Sequence, residues 1–127
     1  MSNQTSFQPS LCIDLKKNRI RIHRRTLQLI GNPEYIQLLV NPSDSKIAIR
    51  RSGREDYLAH KVHMDAVDCI ELYSSILIEN LMTVNNGLSW NRSYRLYGSI
   101  DALSEMALFS MREPVPINDD GGKQCMN

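Results

Sequence analysis

The sequence predicts a small α+β protein with two N-terminal β-hairpins, a short helix between them, one long central helix and a C-terminal β-hairpin. The chain has 127 residues, which suits a single domain. Its apolar residues alternate over short segments in the first half and recur at helical spacing in the second. We expect one α+β domain over residues 11–112, a disordered N-terminus over residues 1–10 and a disordered tail over residues 113–127.

The first predicted hairpin joins two strands with one apolar face each. Apolar residues occupy every second position of Leu11–Leu15 and again of Arg19–His23, and the polar turn Lys16–Asn18 separates the two segments. Basic residues fill the alternate positions of the second strand. Arg24–Ile30 then predicts one or two turns of helix, because Gly31 and the residues after it are typical of a helix stop.

A second hairpin follows the short helix. Tyr35–Val40 is rich in strand formers, Asn41–Asp44 has turn chemistry, and Lys46–Arg50 alternates isoleucine with polar residues. The polar loop Arg51–Asp56 ends this pattern. Tyr57–Met64 is interpreted as a further strand.

Residues Asp65–Asn86 predict the long central helix. Their apolar residues recur at helical spacing, Asp65 suits the N-cap position, and Gly87 follows the end. Leu72 and Ile78 lie off the main apolar stripe, which indicates a helix that is apolar on more than one face. The stripe consists of Ala66, Cys69, Ile70, Tyr73, Ile76, Leu77, Leu81 and Val84.

The C-terminal part predicts one more hairpin, from Ser93–Ile100 and Met106–Arg112. The segment Glu113–Asn127 is rich in proline, glycine and aspartate, a composition that cannot offset the entropy lost on ordering.

Opposite charges divide between the two halves of the chain. Residues 1–64 contain 11 Lys and Arg against 5 Asp and Glu, a net charge of +6, whereas residues 65–127 contain 4 against 9, a net charge of −5. A basic half indicates an anionic partner. Alternatively, the two halves attract each other within one molecule or across a dimer.

The basic residues of the first half concentrate on the first hairpin and the start of the short helix. Alternation places Arg19, Arg21 and His23 on one face of their strand. Arginine suits phosphate because its planar guanidinium donates two parallel hydrogen bonds. We therefore predict contact with double-stranded DNA. The predicted nucleic-acid-binding residues are Lys16, Lys17, Arg19, Arg21, Arg24, Arg25, Arg50 and Arg51.

The run RIRIHRRTLQLIGNPEYIQLLVNPSDSKIAIRR, from Arg19 to Arg51, resembles the AbrB-type swapped-hairpin DNA-binding module. It has an arginine-led strand, a short helix ending in Leu/Ile-Gly, a strand, an acidic turn and a strand with a basic end. The resemblance implies a homodimeric transcriptional regulator that contacts DNA through Arg19, Arg21, Arg24 and Arg25.

The same segment is also similar to small uncharacterised proteins of bacterial mobile elements. A protein of this kind that serves assembly through protein–protein contacts, with no nucleic acid bound, is the alternative function. In that case the broad apolar surface of the predicted central helix and the opposite charges would serve self-association.

The sequence offers no signature of catalysis, because GxSxG, P-loop and GxGxxG motifs are all lacking. We expect no enzyme, no cofactor and no metal. His60 and His63 form an HxxH pattern, but in a strand these two side chains point to opposite faces. The aromatic residues Trp90, Tyr94 and Tyr97 are interpreted as core or as cross-strand pairs.

We expect a cytoplasmic protein with no membrane association. The first ten residues lack the features of a secretory signal, and no apolar run reaches the roughly 20 residues that a membrane span needs. The cysteines Cys12, Cys69 and Cys125 are odd in number and widely spaced, which indicates reduced thiols.

Overall fold

A computed structural model describes residues 7–62, 69–85 and 87–117. The described chain is mostly antiparallel β, with two short helices. In chain order its elements are β1 Ser10–Asp14, β2 Arg19–His23, α1 Arg24–Leu29, β3 Tyr35–Asn41, β4 Lys46–Arg51, β5 His60–Lys61, β6 Cys69–Tyr73, α2 Ser75–Val84, β7 Ser93–Asp101, β8 Met106–Ser110 and β9 Val115–Ile117.

Eight of these strands form one curled, nearly closed sheet in the order β5-β3-β4-β8-β7-β1-β2-β6, and β9 pairs with β7 beside this path. Every pairing is antiparallel. The curled sheet encloses one apolar core, and both helices add side chains to it. The fully buried members include Leu11, Ile13, Ile20, Ile22, Leu27, Ile36, Ile47, Ile49, Ile78, Leu81 and Phe109.

Strand β7 changes partners at Gly98. Residues Ser93–Tyr97 pair with β1, whereas the pairing with β8 begins at Gly98. A Cβ atom at this position would overlap the carbonyl oxygen of Leu108 and would lie 2.6 Å from Phe109 Cδ2. The amide of Gly98 also donates a hydrogen bond to the carbonyl of Pro9 at 2.9 Å. Only glycine allows the two strands to approach this closely.

The predicted hairpins of the first half and the C-terminal hairpin are confirmed. Their strands pair in the registers Ile13↔Ile20, Leu38↔Ile49 and Ile100↔Ala107. The predicted stop of the short helix is also confirmed. Gly31 has a φ of +96° and its amide donates to the carbonyl of Gln28, a geometry that favours glycine after a helix.

The predicted fold class is wrong, because there is no long central helix in the described chain. Within the range predicted as helix, Cys69–Tyr73 forms strand β6 against β2, and the helix itself covers only Ser75–Val84. Ile70 and Leu72 are both buried while Glu71 and Tyr73 are exposed, which is the alternation of a strand. Residues 65–68 and 86 lie outside the described residues.

The true start of the second helix is set by Ser74. Its hydroxyl accepts a hydrogen bond from the amide of Leu77 at 3.2 Å, and its backbone is extended, which is the geometry of an N-cap. The predicted N-cap, Asp65, lies outside the described residues. Strand β6 and helix α2 are thus separated by a single capping residue.

Three other boundaries differ from the predictions. Of the predicted strand Tyr57–Met64, only His60–Lys61 pairs, with β3, and residues 63 and 64 lie outside the described residues. Val115–Ile117, placed in the predicted disordered tail, forms β9 against β7. Ser10, the last residue of the predicted disordered N-terminus, already belongs to β1.

Among the described residues, neither helix has the length and apolar character that spanning a membrane requires.

We expect Gly98→Ala to lower the free energy of unfolding by about 1–3 kcal/mol or more, because the added methyl group forces β7 and β8 apart. Gly53→Ala is the matched control. A Cβ at Gly53 meets its nearest atom, Asp56 Oδ2, at 3.7 Å, so its effect should stay within about 0.5 kcal/mol. Urea unfolding of the two variants measures both values. Equal stability of the variants would contradict the role given to Gly98.

Candidate anion-binding site

The predicted nucleic-acid-binding residues do not form one surface. Lys16 and Lys17 lie in the turn between β1 and β2, whereas Arg24 and Arg25 begin α1 at the other end of β2. A strand of this length holds its ends roughly 14 Å apart. The predicted cluster on the first hairpin and the short helix is therefore divided into three parts: the turn before β2, the middle of β2, and the start of α1.

The middle of the predicted cluster is buried. Arg19 and Arg21 are only 6% and 9% exposed. Arg19 Nη2 lies 2.6 Å from Asp14 Oδ2, and Arg21 Nε lies 3.0 Å from Glu71 Oε2. Arg19 Nη1 also reaches the same Glu71 oxygen at 3.5 Å. Both guanidinium groups are thus engaged within the fold, on the outer face of β2 and its neighbours.

The two halves of the chain do attract each other at these contacts. Glu71 comes from the acidic half and binds two arginines of the basic half, and Arg51 pairs with Glu105 at 3.4 Å in the same sense.

Burial by itself would lower the pKa of Arg19, but hydrogen bonds with Asp14 and Tyr73 raise it above its usual value. Arg19 therefore stays charged.

The start of α1 is held by an aromatic contact that the sequence did not indicate. The guanidinium of Arg25 lies 5.5 Å from the centre of the Phe7 ring, and the ring of His23 lies 5.1 Å from the same centre. His23 Nδ1 accepts a hydrogen bond from the amide of Arg25 at 3.0 Å and so caps the helix. Phe7 belongs to the segment that was predicted to be disordered.

A different group of basic residues surrounds a depression of about 480 Å³ at the end of β4. We call this feature the basic depression. Among the described residues that line it, the charged ones are the cations Arg51, Arg54 and Lys61 and the anion Glu34, so its formal charge is +2. The remaining lining residues are Pro33, Tyr35, Ser52 and Gly53.

The sheet register brings these residues together. Lys61 lies opposite Tyr35 in the pairing of β5 with β3, and the amide of Ser52 donates to the carbonyl of Tyr35 at 2.9 Å. The guanidinium of Arg51 packs over Gly31, where a Cβ atom would lie 3.0 Å from Nη1. The end of α1, the start of β3 and the end of β4 therefore meet at this depression.

A second depression of about 390 Å³ lies beside the first and shares Arg51 with it. Arg50 also lines it, and Arg50 Nε donates to Gln37 Oε1 at 3.0 Å, which holds that side chain in place. The amide group of Gln37 in turn donates to the carbonyl of Tyr57 at 2.6 Å. Ser104, Glu105 and Met106 complete the second depression.

Part of this site was predicted from the sequence. Arg50 and Arg51 were among the predicted binding residues, whereas Lys61 and Tyr35 were not. Lys61 joins the group only because β5 pairs with β3, and a two-residue strand leaves too weak a pattern to detect in a sequence.

Burial shifts the pKa values of two further titratable side chains, Cys12 and His60. Cys12 lies near Arg21 and Arg95, but its burial raises the pKa of the thiol more than the two guanidinium groups lower it. Within the described ranges, no group of three or more His, Cys, Asp and Glu residues can hold a metal ion. His60 is half-buried, and burial lowers its pKa. His63 lies outside the described residues.

The aromatic residues of the C-terminal part divide between core and surface. Tyr94 is buried, as predicted, and its hydroxyl accepts a hydrogen bond from the amide of Ser89 at 2.9 Å. Trp90 and Tyr97 are instead exposed, so neither lies in the core, and Tyr97 lies on β7 opposite Ser10 of β1.

Comparison with known proteins finds no family model that matches the chain, no similar curated protein and no similar solved structure. The resemblance of residues 19–51 to the AbrB-type module therefore stays a prediction.

We expect Arg19→Met to lower the free energy of unfolding by about 3–5 kcal/mol, because the buried carboxylate of Asp14 loses its cationic partner and keeps a hydrogen bond from the Lys16 amide at 3.1 Å. Arg51→Met is the matched control. It removes the same charge from an exposed pair, and its cost should be about 1 kcal/mol or less. Urea unfolding of the two variants distinguishes them. Equal losses of stability would show that burial does not set the strength of the Arg19 pair.

Proposed function

We propose that this protein is a non-enzymatic nucleic-acid-binding protein, similar in role to a DNA-binding regulator, and that it binds through the basic depression. The observation that carries the proposal is the convergence of Arg51, Arg54 and Lys61 on one concave surface, where Glu34 is the one carboxylate among the described lining residues. Arg51 and Arg54 lie three residues apart at the end of β4 and in the loop after it, and Lys61 joins them through the pairing of β5 with β3. The fold therefore adds Lys61 to a local pair of arginines.

The chemistry of these side chains suits phosphate groups. Arg54 and Lys61 are exposed, and Arg51 keeps half of its side chain accessible beside Glu105. Arginine offers a planar fork of donors to phosphate oxygens, and lysine offers a compact charge. Phosphates that bind here release counterions, so the affinity must fall as the salt concentration rises.

One part of the predicted cluster lies at the opposite end of α1 from this surface. Arg24 and Arg25 begin α1, and Arg51 lies against Gly31 just beyond its end. A helix of six residues is about 9 Å long, which separates Arg24 and Arg25 from the depression along the helix axis. Lys16 and Lys17 lie farther away, beyond β2.

We expect the double variant Arg54→Ala/Lys61→Ala to weaken binding to DNA at least tenfold at low salt and to make the salt dependence less steep. The slope of log affinity against log salt should decrease in magnitude by about 0.7–0.9 for each phosphate that the variant no longer neutralises. Fluorescence anisotropy with labelled DNA of random sequence measures both effects.

The matched control is Lys46→Ala/Arg92→Ala, which removes the same charge from exposed positions outside the depression. It should keep most of the affinity. If both variants weaken DNA binding equally, the affinity depends only on the net charge of the protein, and this result would contradict a defined site. Absence of binding to any DNA at low salt by the native protein would refute the proposed function.

A second function, in assembly through protein–protein contacts, is favoured by one surface. Tyr73 on β6 and Ile76 on α2 are 62% and 53% exposed, and β6 pairs on one side only, with β2, among the described residues. An exposed strand edge beside apolar side chains favours pairing with another chain. A cytoplasmic homodimer is the corresponding proposal, and the free thiols of Cys12 and Cys69 suit that compartment.

Sedimentation velocity tests this second function. If Tyr73 and Ile76 lie in a dimer interface, Tyr73→Ser/Ile76→Ser should sediment as a monomer under conditions where the native protein is a dimer. Trp90→Ser is the control, because Trp90 is similarly exposed but lies in the turn region between α2 and β7. A native protein that sediments as a monomer at all concentrations would refute this function.

A further inference from the structure

We propose that the nucleic acid is single-stranded, with one nucleotide seated in the basic depression and its base stacked against Tyr35. This inference rests on the proposed function and names the class of nucleic acid bound. It requires that the depression bind a base as well as a phosphate. It also requires further cations near the depression that contact the next nucleotides of the bound nucleic acid.

The size of the depression suits a nucleotide. Its volume is about 480 Å³, and pockets that hold small organic ligands span about 300–1,000 Å³. In a duplex the bases are stacked inside, so only the phosphates and the groove edges reach a protein surface. A single strand can turn a base outward into a concave site.

Tyr35 contributes an aromatic side chain to the lining of the depression. Its backbone is held on both sides, by the pairing with Lys61 in β5 and by the hydrogen bond from the Ser52 amide. The side chain is half-buried and lines the depression. Stacking of a base on an aromatic side chain strengthens binding about fivefold or more. A tyrosine hydroxyl also donates hydrogen bonds to phosphate oxygens, so the comparison of Tyr35→Phe with Tyr35→Leu separates the ring from the hydroxyl.

The second depression provides cations for the next nucleotide of the bound nucleic acid. Arg51 lines both depressions, and Arg50 lines the second one as well. A phosphate between two neighbouring nucleotides can therefore contact Arg51 while the next one contacts Arg50. Affinity should rise with the length of the oligonucleotide until both depressions are filled.

Glu34 opposes the binding of phosphate in the basic depression. Its carboxylate lines the depression and repels an anion. Glu34→Gln should therefore raise the affinity for a single strand about threefold or more. Glu79→Gln, which removes the same charge from an exposed position of α2, is the control and should change the affinity less.

The test compares three probes of equal length by fluorescence anisotropy at low salt: an oligothymidylate, its duplex with oligoadenylate, and an oligonucleotide whose central residues are abasic. We expect the native protein to bind the single strand at least fivefold more tightly than either of the other two. Tyr35→Leu should reduce the affinity for the oligothymidylate to that for the abasic probe, whereas Tyr35→Phe should retain the preference.

The outcomes separate this inference from the proposed function. If the duplex or the abasic probe binds as tightly as the oligothymidylate, or if Tyr35→Leu weakens all three probes equally, the single-strand inference is overturned and the proposed function stands. If none of the probes binds, the proposed function falls with it. Should Tyr35→Leu fail to fold, the comparison of the three probes on the native protein decides.

Discussion

The architecture depends on one strand that belongs to two parts of the sheet. The first residues of β7 pair with β1 and with β9, and its last residues pair with β8. This exchange of partners requires the backbones at Gly98 and Leu108 to approach more closely than any side chain allows. Strand β8 in turn pairs with β4 up to Arg50, and β4 pairs with β3 up to Arg51. The close approach at Gly98 is thus connected through the sheet to the strand end that carries both arginines.

The charges of the molecule are used in two different ways. On the outer face of β2, Asp14 and Glu71 neutralise Arg19 and Arg21, and all but Glu71 are buried. These contacts join distant segments of the chain and leave little positive potential for a partner. Around the basic depression the balance is reversed, because Arg51, Arg54 and Lys61 outnumber the carboxylates that line it in the described chain. The same residue type therefore stabilises the sheet in one place and forms a candidate binding surface in another.

The candidate site was only partly predictable because it is assembled by tertiary pairing. Arg50 and Arg51 end a strand whose alternation is clear in the sequence, so their position could be inferred. Lys61 and Tyr35 meet across the β5–β3 pair, whose two-residue strand has no detectable period. Arg54 lies in the loop between β4 and β5. The ion pair between Arg21 and Glu71 was equally unpredictable from the sequence, because nothing in the first hairpin indicates that a carboxylate from a distant segment will pair with Arg21.

The sequence by itself determined the elements that depend on neighbouring residues. These are the hairpins with strict alternation and the helix stop at Gly31, because turn chemistry and side-chain period act over a few residues. Only the tertiary structure decided that Cys69–Tyr73 is a strand. A short apolar segment fits both helical and strand periods. In the folded protein this segment pairs with the edge of β2, opposite Ile20 and Ile22, and this long-range pairing makes it a strand.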